Sequence, residues 1–216
     1  MRSVRLAATM TAAALATLLS ASPALADDTN VLTTGSAAGT AVAAGSTISS
    51  SLAAGTTATF AASATSGMTC TGSAISSVVS DNPAAPGSAA AGSTLTLSGC
   101  TVSGIIGVLG VNSVTINNQP YATAINSDGT VVVTGTTAGP IQATLVLRTL
   151  LGSVTCVFQA NGNSISGTSD NSDNSISFAS QVFTRSSGSA LCSSSVAFSA
   201  RYAPVADASG SPVFVN

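Results

Sequence analysis

Apolar and polar residues alternate in short runs along most of this chain, and Gly, Asn, Asp and Pro separate the runs. In 141–149, Ile141, Ala143, Leu145 and Leu147 share one parity, while Gln142, Thr144, Val146 and Arg148 share the other. A period of two is the mark of a strand with one buried face. The same reading applies to 153–160 (Val154, Cys156, Phe158), 175–184 (Ile176, Phe178, Val182 inward) and 195–202 (Val196, Phe198 inward). In 93–102, Leu95 and Leu97 share a face and Cys100 takes the opposite parity. Runs 112–117 and 121–126 flank a turn at Asn118-Gln119-Pro120, and Leu150-Leu151-Gly152 makes another turn. Asp128-Gly129, set between alternating runs, is the strongest hairpin signal in the chain. The run 68–80 ends at Asp81-Asn82-Pro83, and Pro83, Pro86, Gly87 and the alanines that follow mark a loop.

Two stretches, 105–111 and 131–133, are apolar on both parities, which predicts segments buried on both sides. The rival reading of Ile105-Ile106-Gly107-Val108-Leu109-Gly110 is an exposed apolar contact loop. Beyond the first 26 residues no 3.6-residue apolar period persists for three turns. About ten short strands at regular spacing predict an all-β fold, an antiparallel sandwich or barrel. Residues 27–55, rich in Ala, Gly, Ser and Thr, read as a low-complexity, partly flexible segment with short, poorly packed strands. Residues 56–216 read as a single β domain.

The N-terminus reads differently. Arg2 and Arg5 precede an apolar stretch over 6–19, Pro23 interrupts it, and Ala24-Leu25-Ala26 places small residues where a signal peptidase cuts. Residues 1–26 are therefore expected to be a cleaved signal peptide, too short in its apolar part to span a bilayer. The expected location is secreted or extracellular, with loose association to the envelope as the variant, and no transmembrane segment in the mature chain.

Export changes the meaning of the cysteines. Cys70, Cys100, Cys156 and Cys192 all follow the signal, and an even count in an exported chain predicts disulfides. Three pairings are open. Because sequential strands tend to be neighbours, Cys70–Cys100 and Cys156–Cys192 are favoured. Each bridge would stabilise the fold by about 3.5 kcal/mol through loop closure.

Charge narrows the partners. Past the signal the chain has Arg148, Arg185 and Arg201 against seven aspartates, and Lys, Glu, His and Trp are absent throughout. So few cations make no basic patch for a phosphate backbone, which excludes nucleic acid and argues against electrostatic attachment to anionic lipid. A hydrophobic fraction of 45% and a mean hydropathy of +0.52 argue against a disordered chain. With no His, Lys or Glu, the usual serine nucleophile partners and zincin motifs are missing. Only Asp-based chemistry is left. Asp170-Asn171-Ser172-Asp173-Asn174 is the one local concentration of oxygen ligands. Asp170 and Asp173 there are a weak Ca²⁺ candidate, and Asx-turn chemistry explains the same residues more economically.

The segments NNQPYAT, PIQATLVLRTLLGSVTC, NSISFASQVFTRSSGSALC and FSARYAP, with the terminal PVFVN, resemble a group of secreted actinobacterial proteins of unknown function. The resemblance covers 112–216 and implies no activity. The cysteine spacing departs from the neocarzinostatin type of secreted sandwich, whose pairs close short loops. The expectation is a secreted, non-catalytic β-sandwich protein that needs no cofactor. It would be a binding or envelope-associated module with a protein or cell-surface partner. A structural or surface-active coat protein and an Asp-dependent hydrolase are the alternatives.

Overall fold

Short alternating runs leave one face of each strand apolar, and the chain buries those faces by rolling its sheet closed. The computed structural model describes residues 29–216; the expected signal peptide, 1–26, lies outside the described residues. The N-terminal strands are β1 (Leu32–Thr34), β2 (Thr40–Ala41), β3 (Thr47–Ser51) and β4 (Ala58–Ala61). Two long strands follow, β5 (Gly67–Asp81) and β6 (Ser88–Ser103), then β7 (Val108–Asn117), β8 (Tyr121–Asn126) and β9 (Thr130–Thr134). Next come β10 (Gln142–Thr149), β11 (Gly152–Ala160), β12 (Ser164–Asp170) and the long β13 (Ser175–Gly188). The chain ends with β14 (Ser195–Tyr202), β15 (Ala206–Asp207) and β16 (Val213–Val215).

Strands β12-β9-β8-β6-β5-β4-β14-β13 pair in that order, and β13 returns to β12, closing an antiparallel barrel of eight strands. Eight strands leave an interior just wide enough for side chains to fill. Here an aromatic cluster fills it: Phe60, Phe178, Phe183, Phe198 and Tyr202, with ring centroids from 5.0 to 6.4 Å apart. The remaining strands lie outside the closed ring. β11, β10 and β7 extend the sheet from the second half of β13, β3 pairs with β5 and β15 with β3, and β16-β1-β2 form a small separate sheet.

The long strands serve two neighbours in succession, and the chain forks where they change partner. β6 pairs with β8 over Ser88–Ser93 and runs on to Ser103 without it. At this fork the side chain of Gln119 takes over the ladder. Its Oε1 accepts the Leu95 N–H, and its Nε2 donates to the carbonyls of Leu95 and Ile116, both at 3.1 Å. β13 forks likewise, pairing with β12 up to Phe178 and with β11 from Phe183. There Gln181 Oε1 accepts the Ser166 N–H at 2.7 Å and its Nε2 donates to the Ala179 carbonyl.

The fork in β13 corrects one expected face. Ser180 adopts φ 51° in a bulge between Phe178 and Gln181, so parity reverses across it. Phe183 is buried, and Val182, expected inward, is 46% exposed. The alanine run after Gly87 is also strand, not loop. Ala89 and Ala91 face the core while β6 pairs with both β5 and β8. Methyl groups fit where three strands crowd together, and the turn shrinks to 82–87.

The segment 29–55 is woven into the domain. Val31, Leu32, Val42 and Ile48 join the core, and β3 and β4, on either side of the expected 55/56 boundary, both pair with β5. The disulfides are Cys70–Cys100, which sit opposite each other on β5 and β6, and Cys156–Cys192, which ties β11 to the loop after β13.

Candidate functional site

Four loops gather at one end of the molecule: 62–66, 104–107, 150–151 and 189–194. Ladder register places them together. Gly67 pairs with Ser103, Thr149 with both Val108 and Gly152, and Gly188 with Cys156. Ile105 and Leu191 line one small depression together with Met68, Val102 and Leu147.

This end is apolar at its most exposed points. Leu150, Leu151 and Ile106 are 81%, 101% and 94% exposed, and Leu109 and Leu191 are each about half exposed. The expectation that 105–111 is buried on both sides is thus overturned. Val108 and Val111 are half-buried against the core, Ile105 is half-buried, and Ile106 and Leu109 face outward. One face of the stretch packs toward the core, and the other, though apolar, meets open space.

The leucines are held out by turn geometry. Leu150 and Leu151 form the whole of a two-residue hairpin turn, which ends on Gly152 at φ 121°. The Thr149 hydroxyl donates to the Gly152 carbonyl at 2.9 Å, and its Oγ1 accepts the Leu151 N–H. In the next loop Gly104 has φ 66°, and a Cβ there would stand 2.3 Å from the Thr65 carbonyl oxygen, so only glycine lets 104–107 pass this close. The loop 189–194 is braced by Arg185, whose Nη1 donates to the carbonyls of Ser189 (2.7 Å) and Cys192 (2.6 Å). Two-residue turns ordinarily carry Asn, Gly or Asp. Two adjacent leucines in such a turn are the one signal by which the sequence marks this site.

Charge is sorted along the strands. The four loops contain no carboxylate; Arg148 lies beside them over Gly110, and Arg185 lies beneath 189–194. The described aspartates occupy the opposite end. Asp81 pairs with Ala90 near the far end of the β5–β6 hairpin, Asp128 sits in the β8–β9 turn, Asp170 and Asp173 bound the β12–β13 turn, and Asp207 pairs with Ile48. Arg201 is there too, in the one salt bridge among the described residues, to Asp173.

The oxygen-rich turn 170–174 is occupied by its own chain. Asp170 Oδ1 accepts the Ser172 N–H at 2.8 Å, and that bond holds its carboxyl below the usual carboxylate range. Asp173 faces Arg201, and Asn171 takes both backbone groups of Val215, at 2.7 and 2.9 Å. Asn174 Nδ2 donates to the Val213 carbonyl. The turn thus fastens the C-terminal strand β16. Among the described residues no group of three or more His, Cys, Asp or Glu could hold a metal ion.

Inside the barrel a cavity of about 50 Å³ is lined by Phe60, Ile116, Ile141, Phe178, Phe198, Tyr202 and neighbouring apolar groups. That space is small beside the roughly 300–1,000 Å³ of ordinary ligand pockets. Tyr202 is fully buried, and burial pushes its phenol up to about 12. A shallow groove of about 400 Å³ between β3 and 203–204 is lined by Ser49, Ser50, Ser51, Ser76 and Pro204 among others, with no charged group. Tyr202 lines this central cavity, whereas Asp128, Asp170 and Asp173 lie at one end of the molecule and Arg148 and Arg185 at the other.

No family model matches the chain, and no curated protein or solved structure matches it. Among the described residues no helix is long and apolar enough to cross a membrane.

Proposed function

We propose that the protein is a secreted, non-catalytic module that docks onto a cell-surface or protein partner through its apolar loop end. One observation carries this reading: Leu150, Leu151 and Ile106 stand almost wholly in solvent, the two leucines on a turn closed by the Thr149 hydroxyl. Exposed aliphatic groups reduce solubility, and a rigid cluster of them marks a contact surface. Two structural disulfides support an extracellular setting. The absence of His, Lys and Glu, and the use of Asp170, Asp173 and Asp207 in turns and a salt bridge, support a role without catalysis.

The test is retention on the envelope of the producing cell. A chain beginning at Asp27 should remain with washed envelopes, and the L150S/L151S/I106S variant should stay in the supernatant. Equal retention of the two would remove the loop end from the function. Assembly of the protein into particles or films that the variant cannot form would favour the coat-protein alternative.

A further inference from the structure

We infer that the partner of the loop end is a lipid surface bearing anionic headgroups, into which Ile106, Leu150 and Leu151 insert while Arg148 contacts the phosphates. This rests on the docking reading above and names its partner.

Shape argues first. The most exposed aliphatics stand on two turns, Ile106 on 104–107 and the adjacent Leu150 and Leu151 on the β10–β11 hairpin. Protein interfaces are built around packed centres rich in Tyr, Trp, Phe and Arg. No aromatic residue lies in these four loops. A bilayer interface needs no matching relief. It accepts separate aliphatic tips to a depth of roughly 5–10 Å, where long cationic side chains reach back to the headgroups.

Charge argues second, against what the whole-chain balance suggests. The net charge is negative, yet no carboxylate lies in the loops that would meet the surface, and Arg148 has no acidic partner there. The described aspartates lie near the other end of strands such as β5, which runs 15 residues from Gly67 to Asp81. At about 3.3 Å per residue that is a strand length of roughly 50 Å. The Debye length at physiological salt is about 8 Å, so those charges are screened from a surface touching the loops. The charge that matters is local and positive. Repulsion of the aspartate end by an anionic surface turns the molecule loop end first.

Glycines complete the arrangement. Gly104, Gly107 and Gly152, all with positive φ, let the backbone turn at the tips, and the Thr149 bonds fix the leucine turn without a charged group.

The experiment is flotation of the chain beginning at Asp27, which contains every described element, with vesicles of phosphatidylcholine alone or mixed with phosphatidylglycerol. Binding is expected to the mixed vesicles, and 0.5 M salt should weaken it. L150S/L151S should lower partitioning by at least about a hundredfold. R148Q should lower it by about fivefold on mixed vesicles and leave it unchanged on phosphatidylcholine. Unchanged thermal unfolding of each variant shows that loss of binding is not loss of fold. Failure to float with either vesicle, combined with leucine-dependent retention on envelopes that protease treatment abolishes, overturns the lipid assignment and keeps the docking reading. Failure on vesicles with a leucine-dependent dimer in sedimentation overturns it in favour of a second copy. Failure on vesicles and envelopes alike, with no dimer, overturns both.

Discussion

The side-chain amide of Gln119 takes both backbone groups of Leu95, accepting its N–H and donating to its carbonyl as a neighbouring strand would. The same device recurs at Asn82, whose amide takes both groups of Leu32 at 2.8 Å, and at Asn171, which takes both groups of Val215. At Leu95 and Val215 the amide stands where no strand pairs, and at Leu32 it shares the carbonyl with the Val42 N–H. An amide carries one acceptor and two donors at nearly backbone spacing, so it ends a ladder without burying charge.

Replacing Gln119 by Leu leaves the Leu95 N–H and carbonyl without these partners in a half-buried position. The loss should be about 1–3 kcal/mol in denaturant unfolding. Gln119→Glu keeps an acceptor for the N–H but loses the donor and places a charge there, so it too should destabilise.

Asn82 has a third bond, to the Val42 carbonyl at 2.9 Å, and it links β1 and the residue after β2 to the turn after β5. Asn82→Ala should cost about 2 kcal/mol. Amide exchange should accelerate first at Leu32 and Val42, ahead of the barrel strands.

Alkaline pH should unfold the protein through Tyr202. Its hydroxyl lies 2.9 Å from Ser73 Oγ, and Ser73 in turn donates to the Thr96 carbonyl at 2.8 Å. Burial raises the folded phenol to about 12, above the ordinary value of 10.0. Above pH 10 the unfolded chain loses this proton first, so stability that is complete below that pH drains away as pH rises toward 12. The loss is on the order of 2–3 kcal/mol. Tyr202→Phe should cost about 1 kcal/mol at neutral pH and flatten this limb. Tyr121, also raised by burial, supplies what remains of the slope.

At acid pH the exposed turns should loosen. Hydrogen bonds hold Asp128, Asp170 and Asp207 below the ordinary 3.8 of a carboxyl. Their contribution is present above that value and is lost as pH falls through the lowered one. Chemical shifts of Thr130, Ser172 and Ser211 should report it residue by residue.

Loss of the Cys156–Cys192 bridge should lower stability by about 3.5 kcal/mol, as should loss of Cys70–Cys100, since the two close loops of similar length. The consequences should differ in place. Cys70 and Cys100 sit in a continuous ladder that keeps its register without them, whereas 189–194 lies outside any strand. C156S/C192S should therefore expose 189–194 to proteolysis, and C70S/C100S should not. Gly188→Ala should resemble the former, because a Cβ there would meet the Thr155 carbonyl oxygen at 2.4 Å.

Alternation made the strands and their inward faces legible along 141–147 and 195–202, because a half-buried strand leaves a period of two wherever its ladder is regular. Asp128-Gly129 likewise marked its hairpin, and the adjacent cysteine pairing followed from the tendency of successive strands to lie together. Where the ladder is irregular the pattern misleads, as at Val182, whose face was reversed by the bulge at Ser180. Long-range pairing decided the rest. Closure of β12 on β13, the forks held by Gln119 and Gln181, and the fastening of 29–55 to β5 and β16 depend on contacts between residues far apart in the chain. The loop end belongs to this second group. Its leucines and isoleucine are visible in the sequence as apolar residues, but apolarity alone does not say whether a side chain is covered. Their exposure, and the sorting of Arg148 away from the aspartates, follow from which strand ends the tertiary fold brings side by side.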